Sequence, residues 1–99
     1  QYIEENYSNP QLGISMSASH FSLSDSYFSQ FFKENMGKTF SNYLEKVRIS
    51  KAMELLGNTN NDIQTISIMV GYTNSTTFRR AFKRVSGISP SKWKLNKEK

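Results

Sequence analysis

The chain repeats itself. Displaced by 50 positions, Phe28 falls on Phe78, Phe32 on Phe82, Lys33 on Lys83 and Gly37 on Gly87, while Thr39 falls on Ser89 and Tyr43 on Trp93. Upstream the displacement is 49, which pairs Ile14 with Ile63, Phe21 with Val70 and Leu23 with Tyr72. The second copy therefore holds one extra residue in its turn. In a chain of 99 residues, two copies leave room for little else, so the fold must be built from one small unit used twice. Each copy reads as a short helix, a tight turn, a longer helix, a glycine and another capped helix. That is the helix-turn-helix plan.

The periodicity supports seven helices and an all-α fold. A first short helix over Tyr2 to Tyr7 stops at Ser8-Asn9-Pro10. Ile14, Ala18 and Phe21 mark a second, at helical spacing. Ser24 caps a third, over Asp25 to Asn35, and Gly37 follows its end. Thr39 caps a fourth, expected over Phe40 to Leu56. Its apolar stripe (Phe40, Tyr43, Leu44, Val47, Ile49, Ala52, Met53, Leu55, Leu56) is too wide for a helix covered on one side, and reads as a helix shared by two cores. At 1.5 Å per residue it is roughly 26 Å long. Gly57-Asn58-Thr59-Asn60-Asn61 reads as a loop. Asp62 caps a fifth helix, Asn74 a sixth, and Ser89-Pro90 opens a seventh with proline at its first position. The expected organisation is a first helix-turn-helix subdomain over residues 1–38, a linker helix over 39–57 and a second subdomain over 58–99. The inward phenylalanines Phe28, Phe31, Phe32, Phe78 and Phe82 are expected in the core, with Tyr43 and Trp93 as packing anchors and His20 at the surface. The turn of each motif needs a residue that tolerates a left-handed backbone. Gly71 supplies it in the second copy, and Ser22 is a poorer fit in the first.

Charge separates the copies. Residues 1–75 carry five basic side chains against seven acidic ones, while residues 76–99 carry eight against one. A cationic surface of this kind favours polyanions. With no Cys and one His, disulfide scaffolds, thiolate metal sites and cysteine catalysis are excluded, and a multi-histidine centre has no ligands. No Ser-His-Asp grouping, P-loop or metal-ligand spacing appears, so no catalytic residue, metal or cofactor is expected and the chain does not read as an enzyme. No apolar run approaches the ~20 residues of a membrane helix. The sequence does not begin with Met and has no signal peptide, and reads as the C-terminal piece of a longer cytoplasmic, nucleoid-associated protein.

If the paired phenylalanines anchor each second helix by one face, the opposite face is free. In the first copy that face carries Ser26, Ser29, Gln30 and Lys33. In the second it carries Thr76, Arg79, Arg80 and Lys83, with Ser75 at the helix start. Arginine can donate a bidentate pair to guanine, glutamine can serve adenine, and Ser and Thr adapt to either, with the threonine methyl able to touch thymine. Ser24 and Asn74 cap helix N-termini, where partial positive charge attracts phosphate. Lys33, Lys83 and Arg84 are further phosphate candidates.

Two stretches carry a family resemblance. The sharper one is Ile63-x-x-Ile66-Ser67-x-x-Val70-Gly71-Tyr72 followed by Phe78-x-Arg80-x-Phe82-Lys83-Arg84-x-x-Gly87-x-Ser89-Pro90-x-x-Trp93-Lys94. The other is Phe32-Lys33-x-x-x-Gly37-x-Thr39-Phe40-x-x-Tyr43-Leu44 with Arg48-Ile49-x-x-Ala52-x-x-Leu55-Leu56. Together they resemble the DNA-binding domain of AraC/XylS-family bacterial transcription regulators, over nearly the whole chain. The resemblance implies two helix-turn-helix subdomains bridged by a long helix, each with its second helix in the major groove. It puts the base-facing positions on Ser26, Ser29 and Gln30, and on Ser75, Thr76, Arg79 and Arg80. The sequence departs from the family pattern at Ser17, usually apolar, at Ser22, usually Gly, and at Ser67, commonly Ala.

The expected partner is double-stranded promoter DNA, gripped in successive major grooves ~34 Å apart. A rigid linker slightly shorter than that spacing would bend the DNA. RNA polymerase is a further candidate partner, and oligomerisation is expected to belong to a missing N-terminal domain. The rival reading is a helical protein-interaction module. RNA binding lacks its usual marks, an aromatic sheet or a Gly-x-x-Gly clamp.

Overall fold

A computed structural model describes residues 2–97. Among the described residues all regular structure is helical: α1 (Tyr2–Asn6), α2 (Ile14–His20), α3 (Asp25–Met36), α4 (Phe40–Asn58), α5 (Ile63–Met69), α6 (Ser75–Ser86) and α7 (Pro90–Lys97). Gln1, and Glu98 and Lys99 of the basic tail, lie outside them.

The starts of α3, α4, α5 and α6 are set by side-chain caps. Ser24 Oγ accepts from the Tyr27 amide at 3.1 Å, Thr39 Oγ1 from Asn42 at 3.2 Å, Asp62 Oδ1 from Thr65 at 2.7 Å and Asn74 Oδ1 from Thr77 at 2.8 Å. Each satisfies a donor that helix geometry leaves unpaired. Three boundaries differ from expectation. α3 runs one residue further, to Met36. α1 ends at Asn6, and Tyr7 lies in the turn that follows. α4 runs through Gly57 to Asn58, taking the first two residues of the loop that composition suggested and leaving Thr59-Asn60-Asn61 outside the helix. The helix continues because its last turn is held from two sides. Thr59 donates to the Leu55 carbonyl from both its amide and its hydroxyl, at 3.0 and 2.7 Å. The Trp93 ring packs beside Gly57, 3.9 Å from where a Cβ would stand. A helical glycine costs only about 1 kcal/mol.

The body is elongated, 46 × 22 × 22 Å, with two cores along its length. Ile3, Leu12, Ala18, Phe28, Phe40 and Leu44 form the first. Ile49, Ala52, Leu56, Ile66, Val70, Phe78, Ala81 and Phe82 form the second. α4 enters both. Phe40 and Leu44 face one way, while Ile49, Ala52 and Leu56 face another, rotated roughly 140° at 3.6 residues per turn. That is why its apolar stripe looked too wide for one interface. Tyr7 packs against both cores.

Phe31 is not a core residue; it is 50% exposed and stacks on Tyr27 at 6.0 Å between centroids. Its repeat mate Ala81 is 1% exposed. The cause is what precedes each motif: the 19-residue α4 in the second copy, but the five-residue α1 in the first. The short helix leaves an open groove lined by Phe21, Phe31 and Met36. Phe28, Phe78 and Phe82 are buried and Phe32 is half-buried. Tyr43 packs edge-on against Phe32 and Trp93 against Phe82, at 5.5 and 6.2 Å. His20 is exposed and stacks on Tyr2 at 4.4 Å.

The serine departures have structural consequences. Ser22 takes the left-handed conformation, φ 60°, so the first turn keeps the shape of the second without a glycine. Ser17 is fully buried and its Oγ has no partner among the described residues, whereas buried Ser67 Oγ donates to the Gln64 carbonyl at 2.7 Å.

Candidate nucleic-acid interface

α3 and α6 each follow a short helix and a tight turn, and each is anchored by phenylalanines one turn apart. Phe28 and Phe32 lie 6.0 Å apart and Phe78 and Phe82 5.8 Å apart. Anchoring by one face leaves the other to solvent. On α3, Ser26, Gln30 and Lys33 are exposed and Ser29 is half-buried; on α6, Thr76, Arg79, Arg80 and Lys83 are exposed and Ser75 is half-buried. Ser26, Ser29, Gln30 and Lys33 line one shallow depression together with Ile14 and Asp25. Asp25 accepts from Ser15 Oγ at 2.6 Å, which ties the start of α3 to α2. Gln30 Nε2 donates to Glu34 Oε2 at 3.2 Å, leaving its carbonyl oxygen outward to accept.

The cap residues are partly committed. With Ser24 Oγ and Asn74 Oδ1 accepting from the backbone, the Ser24 hydroxyl proton and the Asn74 amide nitrogen remain to donate. Both residues are exposed.

The cations divide into free and engaged. Arg84 reaches across to Glu45 of α4, with its Nε 3.2 Å from Oε2 and a terminal nitrogen at 2.6 Å. The hydrogen bond and the charge of Glu45 hold the Arg84 pKa above its ordinary value. Glu45 is half-buried. Lys97 Nζ lies over the Trp93 ring, 5.3 Å from its centroid.

Arg48 departs furthest from its place in the charge tally. It is 9% exposed. Its Nε donates to the Tyr7 carbonyl at 2.8 Å and a terminal nitrogen to the Asn9 carbonyl at 2.9 Å. Its guanidinium carbon sits 5.5 Å from the Tyr72 ring centroid. Burial lowers the Arg48 pKa from its ordinary value, and burial raises that of Tyr72, with Glu45 adding to the rise. One signal was present in the sequence: Arg48 interrupts the α4 stripe between Val47 and Ile49. Beside it, Gly71 has φ 105°, and a Cβ there would stand 2.5 Å from the Tyr7 carbonyl oxygen and 2.8 Å from Arg48 Nε. Gly71 thus serves a close approach between the two motifs as well as a turn.

Paired helix-turn-helix units with free polar faces on their second helices define a DNA-binding module. A family model described as "Helix-turn-helix domain" matches residues 17–96. The chain is 41% identical over 90 residues to the raffinose operon transcriptional regulatory protein of Pediococcus pentosaceus, covering 91% of this chain and 32% of that protein. It is 34% identical over 98 residues to the arabinose operon regulatory protein of Escherichia coli, covering 99% of this chain and 34% of the relative. Among solved structures, the C-terminal domain of AraT, a response regulator from Geobacillus stearothermophilus, superposes with a TM-score of 0.95 at 34% identity, covering 97% of this chain and 79% of that one. The DNA-binding domain of AdpA, solved in complex with a target DNA, shares the fold, with a TM-score of 0.90 at 20% identity over 96% of this chain and 85% of that one. The chain belongs to the AraC family of transcriptional regulators and is a DNA-binding domain of that type. It spans about a third of the length of the curated relatives it matches. Among the described residues no helix is long and apolar enough to cross a membrane.

Proposed function

We propose that α3 and α6 enter successive major grooves on one face of promoter DNA. Ser26, Ser29 and Gln30, and Ser75, Thr76, Arg79 and Arg80, meet base edges, while Ser24, Lys33, Asn74 and Lys83 meet phosphates, and Arg84 joins them where Glu45 releases it. The observation that carries this reading is the pair of solvent-facing polar surfaces on the two matched helices. The 46 Å length of the body supports it, since it exceeds the ~34 Å between successive grooves. α4, at 19 residues, is about 28 Å long, so DNA bends to meet both helices. The division at residues 1–38, 39–57 and 58–99 is part of the same reading. So are a cytoplasmic location on the nucleoid, contact with RNA polymerase and oligomerisation through sequence outside these residues.

The free cations cluster on α6 and α7, so the second motif supplies most of the salt-dependent affinity and the first adds selectivity. The test is a titration of selected and random duplexes across a salt series. Steep salt dependence on both, with tighter binding to the selected duplex, is the expected result. Salt-independent or sequence-blind binding would refute it. Gel phasing reports the bend separately.

A further inference from the structure

Reading two grooves at once requires more than two correct surfaces; it requires a fixed distance between them. Joining two modules multiplies their affinities only when the joint holds both at their sites, and a joint that is too loose or misplaced forfeits the gain. The joint in this chain is more than the linker helix. Around α4, Arg48 lies angularly between the face that serves the first core and the face that serves the second, and along the helix it lies between Leu44 and Ile49. From there its guanidinium reaches both motifs.

Toward the first motif it holds the Tyr7 and Asn9 carbonyls. Asn9 also accepts from the amide of Leu12 at 3.1 Å, and Leu12 is a first-core residue directly ahead of α2. Toward the second motif it lies on Tyr72, whose ring packs edge-on against Phe78 at 5.6 Å. Phe78 is a buried anchor of α6. Gly71 brings the turn of the second motif against the same Tyr7 carbonyl.

The geometry points to Arg48 as the positioning residue that sets which spacing between DNA half-sites the domain accepts, though it does not itself belong to either recognition face. The inference rests on the two-groove reading above. Arg48 cements the bend after α1 to the turn before α6, so the two recognition helices move as one body and tolerate one separation. Without it, the Tyr7 carbonyl loses the Arg48 donor and the Asn9 carbonyl keeps only the Leu12 amide, the motifs hinge about α4, and the domain accepts more than one separation.

The test uses the full 99-residue chain and a duplex that it enriches from a randomised pool. Companion duplexes carry two base pairs inserted between the footprinted half-sites, or keep only one half-site. The inserted pairs weaken binding by the unaltered chain about 100-fold, and in Arg48→Met the penalty falls to about tenfold or less while single-half-site affinity stays within about twofold. Arg48→Lys, which keeps the charge but only one donor nitrogen, restores an intermediate penalty. An unchanged penalty in Arg48→Met overturns the inference. So does a parallel loss on one-site and two-site DNA, which would make Arg48 a general support of the fold. If Arg48→Met lacks helical circular dichroism at the assay temperature, Arg48→Lys decides by the same criteria. If the unaltered chain itself ignores the insertion, the two-groove reading falls, and this inference with it.

Discussion

Gly71 lies against the carbonyl of Tyr7 so closely that a single added carbon would stand 2.5 Å from that oxygen. The neighbour is backbone and cannot rotate away, and the position has φ 105°, where side chains are strained. Gly71→Ala should cost about 3 kcal/mol, the strain and the displaced contact together. Urea denaturation measures it. A loss below 1 kcal/mol would show that the bend after α1 yields easily.

Arg80 and Lys83 share a face of α6 and should differ in kind. If Arg80 donates a bidentate pair to a base, Arg80→Ala costs ~1–3 kcal/mol of binding and relaxes preference at one base position. Lys83→Ala should weaken selected and random DNA alike and shallow the salt slope by about one ion. Binding to a panel of single-base variants distinguishes the two. Equal loss on every duplex for Arg80→Ala would make it a phosphate contact.

Glu45 holds Arg84 away from anions. Glu45→Gln removes the negative charge and leaves Arg84 free to meet phosphate, so affinity for random DNA should rise and the salt slope steepen by about 0.9. A slope unchanged by the substitution would mean that Arg84 does not reach the DNA backbone.

Ser17 of α2 and Ser67 of α5 are both fully buried, but among the described residues only the Ser67 hydroxyl has a hydrogen-bond partner. Ser17→Ala should stabilise the domain by about 1 kcal/mol, since it removes a desolvated hydroxyl that bonds to nothing. Ser67→Ala should change little, within about 0.5 kcal/mol, because a lost bond and a lost polar burial nearly cancel. Thermal melts of the two variants supply the comparison.

Asp62 caps α5, and its bond from the Thr65 amide holds its pKa below the ordinary value of 3.8. A carboxylate depressed on folding stabilises the folded state above its unfolded pKa, and that contribution disappears as pH falls through the folded one. Stability should therefore fall below about pH 4, and Asp62→Asn should lose less over that interval than the unaltered chain. Urea midpoints at pH 6 and pH 3 are the measurement.

Much of this architecture was legible because periodicity records which face of a helix is covered. The shift that pairs Phe28 with Phe78 and Gly37 with Gly87 located both motifs, and the wide stripe of α4 announced two cores. Periodicity could not tell how far each cover extends. Phe31 and Ala81 occupy equivalent positions, yet only the one beneath a long helix is buried. Nor could it find Arg48. Its partners are backbone carbonyls some 40 positions earlier, at Tyr7 and Asn9, and carbonyls carry no residue-type signature. The exposed polar faces of α3 and α6 were readable because the phenylalanine spacing tells which side of each helix is covered. The engagement of Arg84 by Glu45 was not, since it depends on how α6 lies across α4.

Because Tyr7 belongs to both cores, the halves of this molecule are not interchangeable parts. An engineer grafting the second motif of a relative onto this first motif, to assemble a reader for a new operator, would have to transplant a matching seat for Tyr7 and Arg48 as well. A chimera spliced at the middle of α4 without regard to that seat would inherit two sound surfaces and no agreed ruler between them.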